Sequence, residues 1–203
     1  MKILILYTPR SGTNSISEYF IKQNPNYKYF NQPFTPYRTA GITQSSYNEC
    51  IEYDNVLVKT DINNFKLLKI SKEKIIKDFD KVLLISRKNK REQAISYMVA
   101  KNNKNFLDKT KRKYNLDGIN KEIIENCQNA CKRFENMLYE FKDQSFRFFY
   151  YEDLFYENFN ELFDYLNIKY IEDDFENILN KNNKYNIGYT FSGNSIEDIL
   201  NEK

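Results

Sequence analysis

The segment from Lys2 to Tyr19, KILILYTPRSGTNSISEY, constrains this chain more than any other. Its first part, Ile3-Leu4-Ile5-Leu6-Tyr7, is a short apolar run of the kind that forms a strand buried on both faces. A polar loop, Thr8-Pro9-Arg10-Ser11-Gly12-Thr13-Asn14, follows at once, and Ile16, Tyr19 and Phe20 then recur at helical spacing. Strand, tight loop and helix aim free backbone N–H groups and the positive end of a helix dipole at one point, the geometry of an anion site. Gly12 allows the turn and lets a ligand approach the backbone. Arg10 adds a permanent charge with a planar donor fork suited to phosphate or sulfate. Ser11, Thr13 and Asn14 bring short polar side chains that either cap the helix or hold the anion.

The same alternation continues along the chain. Apolar, β-rich runs at 56–59 and 82–86 and a more aromatic one at 146–151 read as strands. Periodicity predicts helices over 14–22, 71–79 (with Ser71 as N-cap), 90–102, 120–141 and 153–166. Strands alternating with helices imply an α/β fold, a single domain over residues 1–203 built on a mostly parallel β-sheet flanked by helices. Ligands of such sheets bind beyond the C-terminal strand ends, so the loops after Tyr7, Lys59, Ser86 and Tyr150 are expected to converge on one site. The segment 23–48 is aromatic, poor in pattern and holds Pro25, Pro33 and Pro36; its length predicts a wall or lid on the acceptor side. The basic stretch 102–118 reads as a solvated face, and 188–195 as a polar loop leading to a capped terminal helix.

Composition narrows the chemistry. With 203 residues, 41% of them hydrophobic, the chain has material for one real core. Its net charge of +3 is spread among interleaved acidic and basic residues, which argues against a nucleic-acid partner. There is no His, so a proton acceptor near neutral pH has to be a carboxylate, Lys, Tyr or Cys. The three Cys are too few and too badly spaced for a thiolate metal site, and no metal is expected. Cys127 and Cys131, one helical turn apart, are expected to face a core, and an odd number of cysteines suits a reducing, cytoplasmic location. The N-terminus reads as a strand rather than a signal peptide, and no apolar run approaches the ~20 residues that span a bilayer.

The first loop is not a Walker A loop. That motif has two Gly separated by four residues, followed by Lys and Ser/Thr, whereas here one Gly follows an Arg. No Asp ends the 82–86 strand to help hold Mg²⁺. A short loop with one Arg suits a nucleotide bearing a shorter anionic chain. A second signal follows the third strand, in SRKNKREQAISY: Arg87 and Lys88 leave the strand end together, and Ser96 lies in the next helix, within reach of a second phosphate.

TPRSGTN after the first strand, SRKNKREQAISY after a later one and FFYYEDLFYENFNELFDYLNI near the end, in that order, resemble the sulfotransferases that use 3′-phosphoadenosine 5′-phosphosulfate (PAPS). The resemblance runs from Ile3 to about Ile168 and implies a P-loop NTPase-like sheet without bound metal. It implies that Arg10, Ser11, Gly12, Thr13 and Asn14 hold the 5′-phosphosulfate, and that an Arg and the Ser eight or nine residues later, Ser96, hold the 3′-phosphate. Either Arg87 or Lys88 fills the Arg position; Arg87 is preferred for its bidentate geometry. Tyr151, in Tyr-Glu-Asp-Leu, is implied to line the adenine pocket.

The resemblance departs at the base. Many cytosolic members carry Lys-Thr-His where this chain has Lys59-Thr60-Asp61, and others carry Glu before Pro-Phe where this chain has Gln32. Gln does not accept a proton usefully, so Asp61 is expected to be the base, its pKa raised by burial, with Arg10 and Lys59 stabilising the transferred and departing charge. Asp61 is equally suited to capping a helix over 62–68. The expected reaction is sulfuryl transfer from PAPS to a hydroxyl or amine on a carbohydrate, lipid or small aromatic. The alternatives are a small nucleotide or metabolite kinase and a non-catalytic nucleotide-binding protein.

Overall fold

A strand with apolar side chains at both alternations has no face to offer solvent, and Ile3, Leu4, Ile5 and Leu6 are all fully buried. The computed structural model describes residues 1–35, 45–102, 121–156 and 159–184. In it β1 (Lys2–Tyr7) is the middle strand of a five-stranded sheet. Its partners are β2 (Lys28–Asn31), β3 (Val56–Asp61), β4 (Lys81–Ser86) and β5 (Arg147–Tyr150), in the order β2-β3-β1-β4-β5. All four pairings are parallel, and the register aligns Tyr7 with Asp61 and Ile85, Asn31 with Lys59, and Ser86 with Tyr150. The C-terminal ends of all five strands therefore lie along one edge.

Helices fill the connections: α1 (Thr13–Gln23), α2 (Tyr47–Ile51), α3 (Ile62–Lys66), α4 (Lys72–Asp78), α5 (Lys90–Asn102), α6 (Lys121–Glu140), α7 (Tyr151–Tyr156), α8 (Phe159–Tyr165) and α9 (Glu172–Lys184). Strand alternation divides the core in two. Ile3, Ile5, Leu57, Leu83, Ile85 and Phe149 pack against Ile16, Tyr19 and Phe20 of α1, Phe163 of α8 and Phe175 of α9. Leu4, Leu6, Val56, Val58, Val82 and Leu84 pack against Tyr47 and Cys50 of α2, Ile62 and Phe65 of α3, Ile75 of α4 and Leu138 of α6. Cys127 and Cys131 are buried and form no disulfide among the described residues. No helix among the described residues is long and apolar enough to cross a membrane.

Several boundaries differ from those read in the sequence. A fifth strand, β2, lies inside the pattern-poor segment 23–48. It has four residues and pairs with β3 alone, with Phe30 in one core layer and Tyr29 against the other, so its apolar pair shows no alternation. Ser46 and Glu49 form a reciprocal capping box that starts α2. The last strand begins at Arg147 and ends at Tyr150, and Tyr151 opens α7. The helix expected over 153–166 is represented by α7 and α8. Ser71 caps α4 as expected, accepting from Lys74 N at 3.2 Å. Most of the basic stretch, the terminal loop at 188–195 and part of the expected wall at 36–44 lie outside the described residues.

One side chain fixes α1 to the far end of the domain. The fully buried Tyr19 donates its hydroxyl proton to Lys169 O (3.1 Å) and accepts from Ile171 N (2.8 Å), while its ring meets Phe163 and Phe175 at centroid distances of 4.7 and 5.2 Å. Tyr19→Phe keeps the ring packing and strands both backbone groups. We expect it to lower unfolding stability by about 1–3 kcal/mol in urea titration, with an unchanged denaturant slope. Wild-type stability in this variant would show that the two backbone groups are satisfied without the phenol.

Candidate active site

The loop after β1 is bent by two left-handed residues, Arg10 (φ 67°) and Gly12 (φ 71°). Gly12 adopts this conformation freely, whereas Arg10 does so at a cost of roughly 1–2 kcal/mol. Neighbouring elements hold the bend. Thr8 N donates to Ile85 O of β4 at 3.0 Å. From α5, the fully buried Gln93 donates through Nε2 to Thr8 Oγ1 and to Pro9 O, each at 2.8 Å. Three residues on, and so on the same helix face, Ser96 Oγ accepts from Arg10 Nε at 2.8 Å. Helix α1 then starts with no side-chain cap and no acidic residue in its first turn. Ser11 Oγ is buried without a hydrogen-bond partner among the described residues. Uncapped first-turn N–H groups beside an orphaned hydroxyl and a guanidinium suit an anion.

Lys59 and Asp61 lie two apart on β3 and share the sheet face of their register partners Ile5 and Tyr7. Lys59 is 1% exposed; its Nζ donates to Asn14 Oδ1 in the first turn of α1 and lies 5.8 Å from the centroid of the Tyr7 ring. Asp61 caps α3: Oδ1 accepts from Asn64 N at 2.9 Å and Oδ2 from Asn64 Nδ2 at 2.5 Å. Burial pushes the Asp61 carboxyl above its ordinary value, and the bonds from Asn64 pull part of the way back. Gln32, at φ 56°, donates its backbone N–H to Lys59 O at 2.7 Å. Its side chain spans two strand ends, accepting from Asp61 N at 3.4 Å and donating Nε2 to Tyr7 OH. Burial first, then the Asp61 charge, keep the Tyr7 phenol protonated well above its ordinary range. Gln32 is thus a neutral strut between Tyr7 and Asp61.

The third group follows β4. The Arg87 guanidinium lies 5.0 Å from the centroid of the Tyr151 ring, with Nη2 2.5 Å from Glu92 Oε2. Arg87 Nε is 3.4 Å from Glu152 Oε1, close enough for ion pairing but without hydrogen-bond geometry. Glu152 accepts from Lys88 N (2.7 Å) and Asn89 N (2.9 Å) and so ties α7 to the turn that leads into α5. Lys88 points outward to Asp153, its side chain 55% exposed against 17% for Arg87. Of the two adjacent cations, Arg87 is the one packed on the ring of Tyr151.

The structure therefore joins Arg10 to Ser96, Lys59 to Asn14 and Arg87 to Tyr151, with Asp61 at the end of the strand beside the loop. Sequence reading did not single out Gln93, Tyr7 or Glu152, or the strut formed by Gln32. The one available signal for Gln93 was its spacing of three from Ser96.

Residues 1–186 match the sulfotransferase domain family. Among solved structures, mouse sulfotransferase SULT7A1, crystallised in complex with PAP, shares the fold with a TM-score of 0.54 at 16% sequence identity, over 95% of this chain and 67% of that one. No curated protein matches the chain in sequence. With the family match extending over nearly the whole chain, from the first strand through the last described helix, this protein belongs to the sulfotransferase family.

Proposed function

We propose that the protein transfers a sulfuryl group from PAPS to a hydroxyl or amine acceptor. One observation carries the reading: Lys59 and Asp61 stand on the strand adjacent to the anion loop, two residues apart and on the side of the sheet from which α1 starts. A cation for the leaving phosphate and a carboxylate for the incoming nucleophile thus flank one point. The uncapped start of α1, the orphaned Ser11 hydroxyl and the left-handed pair Arg10 and Gly12 fit the nucleotide's 5′ end. Arg87 stacked on Tyr151 fits its adenosine 3′-phosphate end, with the guanidinium for phosphate and the ring for the base. Ser96, expected to hold the 3′-phosphate with Arg87, here holds Arg10 from the helix that Arg87 precedes.

PAPS supplies the activated sulfuryl group; this chain's residues orient and polarise. Asp61 takes the acceptor proton as the nucleophile closes on sulfur in line with the departing oxygen. Its raised pKa makes it a better base than a solvated carboxylate. Lys59 and Arg10 stabilise the charge that accumulates on the sulfuryl and phosphate oxygens, and Thr13, Asn14 and the loop N–H groups hold the 5′-phosphate. Carbohydrate, lipid and small aromatic alcohols or amines form the acceptor class.

Melting in the presence of 3′-phosphoadenosine 5′-phosphate, ADP or ATP tests the donor. Selective stabilisation by the bisphosphate is expected, about 2.7 kcal/mol at a ligand concentration 100 times Kd. Preferential stabilisation by ATP with Mg²⁺ would instead favour a kinase. Arg87→Ala is expected to weaken bisphosphate binding at least about tenfold, a change of ~1.4 kcal/mol, while Lys88→Ala stays near wild type. The reverse pattern would assign the 3′-phosphate to Lys88.

Asp61→Asn tests the base. Asn caps as well as Asp, so α3 is kept, while turnover is expected to fall about 10²- to 10⁴-fold with nucleotide binding retained. Because the folded-state pKa is raised, ionising Asp61 costs stability as pH climbs from the unfolded value near ~3.9 through the folded one. The Asn variant should therefore melt no lower than wild type at pH 7, and any advantage should vanish under acid conditions. Full turnover in this variant would leave Asp61 as a helix cap alone.

A further inference from the structure

We infer that Gln93 is a positioning residue for the nucleotide's 5′ end, fixing the direction of one peptide group in the anion loop. The inference rests on the PAPS reading above. Gln93 is fully buried on α5, and its Nε2 spends both protons on the loop, one on Thr8 Oγ1 and one on Pro9 O. Since a carbonyl accepts only from a donor, the Pro9 contact fixes which end of the carboxamide faces the loop.

The consequence lies in the Pro9–Arg10 peptide. A trans peptide is planar, and its C=O and N–H point in opposite directions. With Pro9 O drawn inward to Gln93, the Arg10 N–H is turned away from α5, to the open side of the loop. This orientation requires Arg10 at φ 67°, the unfavourable side for a residue with a Cβ. Rotating the peptide by half a turn would return Arg10 to ordinary negative φ and present a carbonyl oxygen where a donor had been. The intrinsic preference of the chain thus favours the orientation that repels an anion, and the bond from Gln93 opposes it. Arg10 Nε held by Ser96, one helical turn further along α5, secures the same residue by its side chain. Two contacts from one helix face, one on the backbone and one on the guanidinium, leave Arg10 with both donor groups aimed from a fixed frame.

A structural staple and a positioning residue predict different things. Two titrations, with 3′-phosphoadenosine 5′-phosphate and with adenosine 3′-monophosphate, separate them, because the second ligand lacks the 5′ group. Gln93→Met keeps the length and apolar packing of the side chain without a donor. Gln93→Glu keeps the shape and, when ionised, presents only acceptors. Ligand-free melting identifies which variants are folded, and either one suffices. We expect the bisphosphate to bind about ten- to a hundredfold more weakly than to wild type, with the 3′-monophosphate unchanged. Thr8→Val, which removes the other contact and leaves Pro9 O bonded, is expected to change bisphosphate affinity by less than about threefold. Equal loss for both ligands, no loss for either, or a Thr8→Val loss as large as that of Gln93→Met would overturn the inference while leaving the PAPS reading intact. Failure of wild type to bind the bisphosphate would overturn the PAPS reading itself and this inference with it.

Discussion

Backbone N–H groups that are to face an anion have to be held in place by something other than the anion. In this protein the loop after β1 is held from α5, which binds it at Pro9 O and Thr8 Oγ1 through Gln93 and at the Arg10 guanidinium through Ser96. The position of the loop in the sheet makes this possible. β1 is central, β3 lies on one side and β4 on the other, and chain order changes direction across it. Crevices of ligand-binding sheets form at such a switch point. β3 contributes Lys59 and Asp61 from one side, while β4 leads into Arg87 and α5 from the other. Tyr19 then anchors the helix that leaves the loop to the segment joining α8 and α9, so the loop is braced at both ends.

The neutral side chain at Gln32 is consistent with the charges around it. A carboxylate there would lie beside the Tyr7 hydroxyl at the strand end that also carries Asp61, and like charges brought close together disfavour each other's ionisation. It could also not donate to Tyr7 while accepting from Asp61 N, as the carboxamide does. With Gln32 neutral, Asp61 is left as the acidic group opposite Tyr7 in the register. Gln32 and the acidic residue after Lys59-Thr60 are thus parts of one arrangement, joined through Asp61 N and the Tyr7 hydroxyl.

Local features were legible in the sequence. The first strand, loop and helix occupy consecutive residues, so apolar content, Gly12 and helical spacing sufficed to describe them. β2 was not legible, because Tyr29 and Phe30 serve opposite core layers and a four-residue edge strand has no room to show a period. Arg87 and Lys88 were inseparable as neighbours in sequence; the packing of Tyr151 and Asp153 on α7 sends one inward and the other to solvent. The capping role of Asp61 was visible in the sequence, and the structure shows the cap. The spacing of Gln93 from Ser96 gains its meaning only once the loop is known to lie against their helix.

The polar groups beneath the loop extend beyond Gln93. Thr8 Oγ1 lies 3.5 Å from Ser86 Oγ, which donates to Glu135 Oε1 at 2.8 Å, and Lys90 Nζ meets the same oxygen at 2.7 Å. A continuous run of polar contacts thus leads from α6, across the end of β4, to the Pro9 carbonyl. Each member is buried or nearly so, and truncating one strands its neighbours in a low-dielectric layer instead of returning them to water. Exposed ion pairs at the rim, such as Lys88 with Asp153, contribute little because solvent screens them. Tolerance to substitution should therefore follow depth more closely than distance from the reacting atoms. Rim charges stand in solvent, whereas the buried contacts around Thr8 belong to the packing that holds the loop against α5.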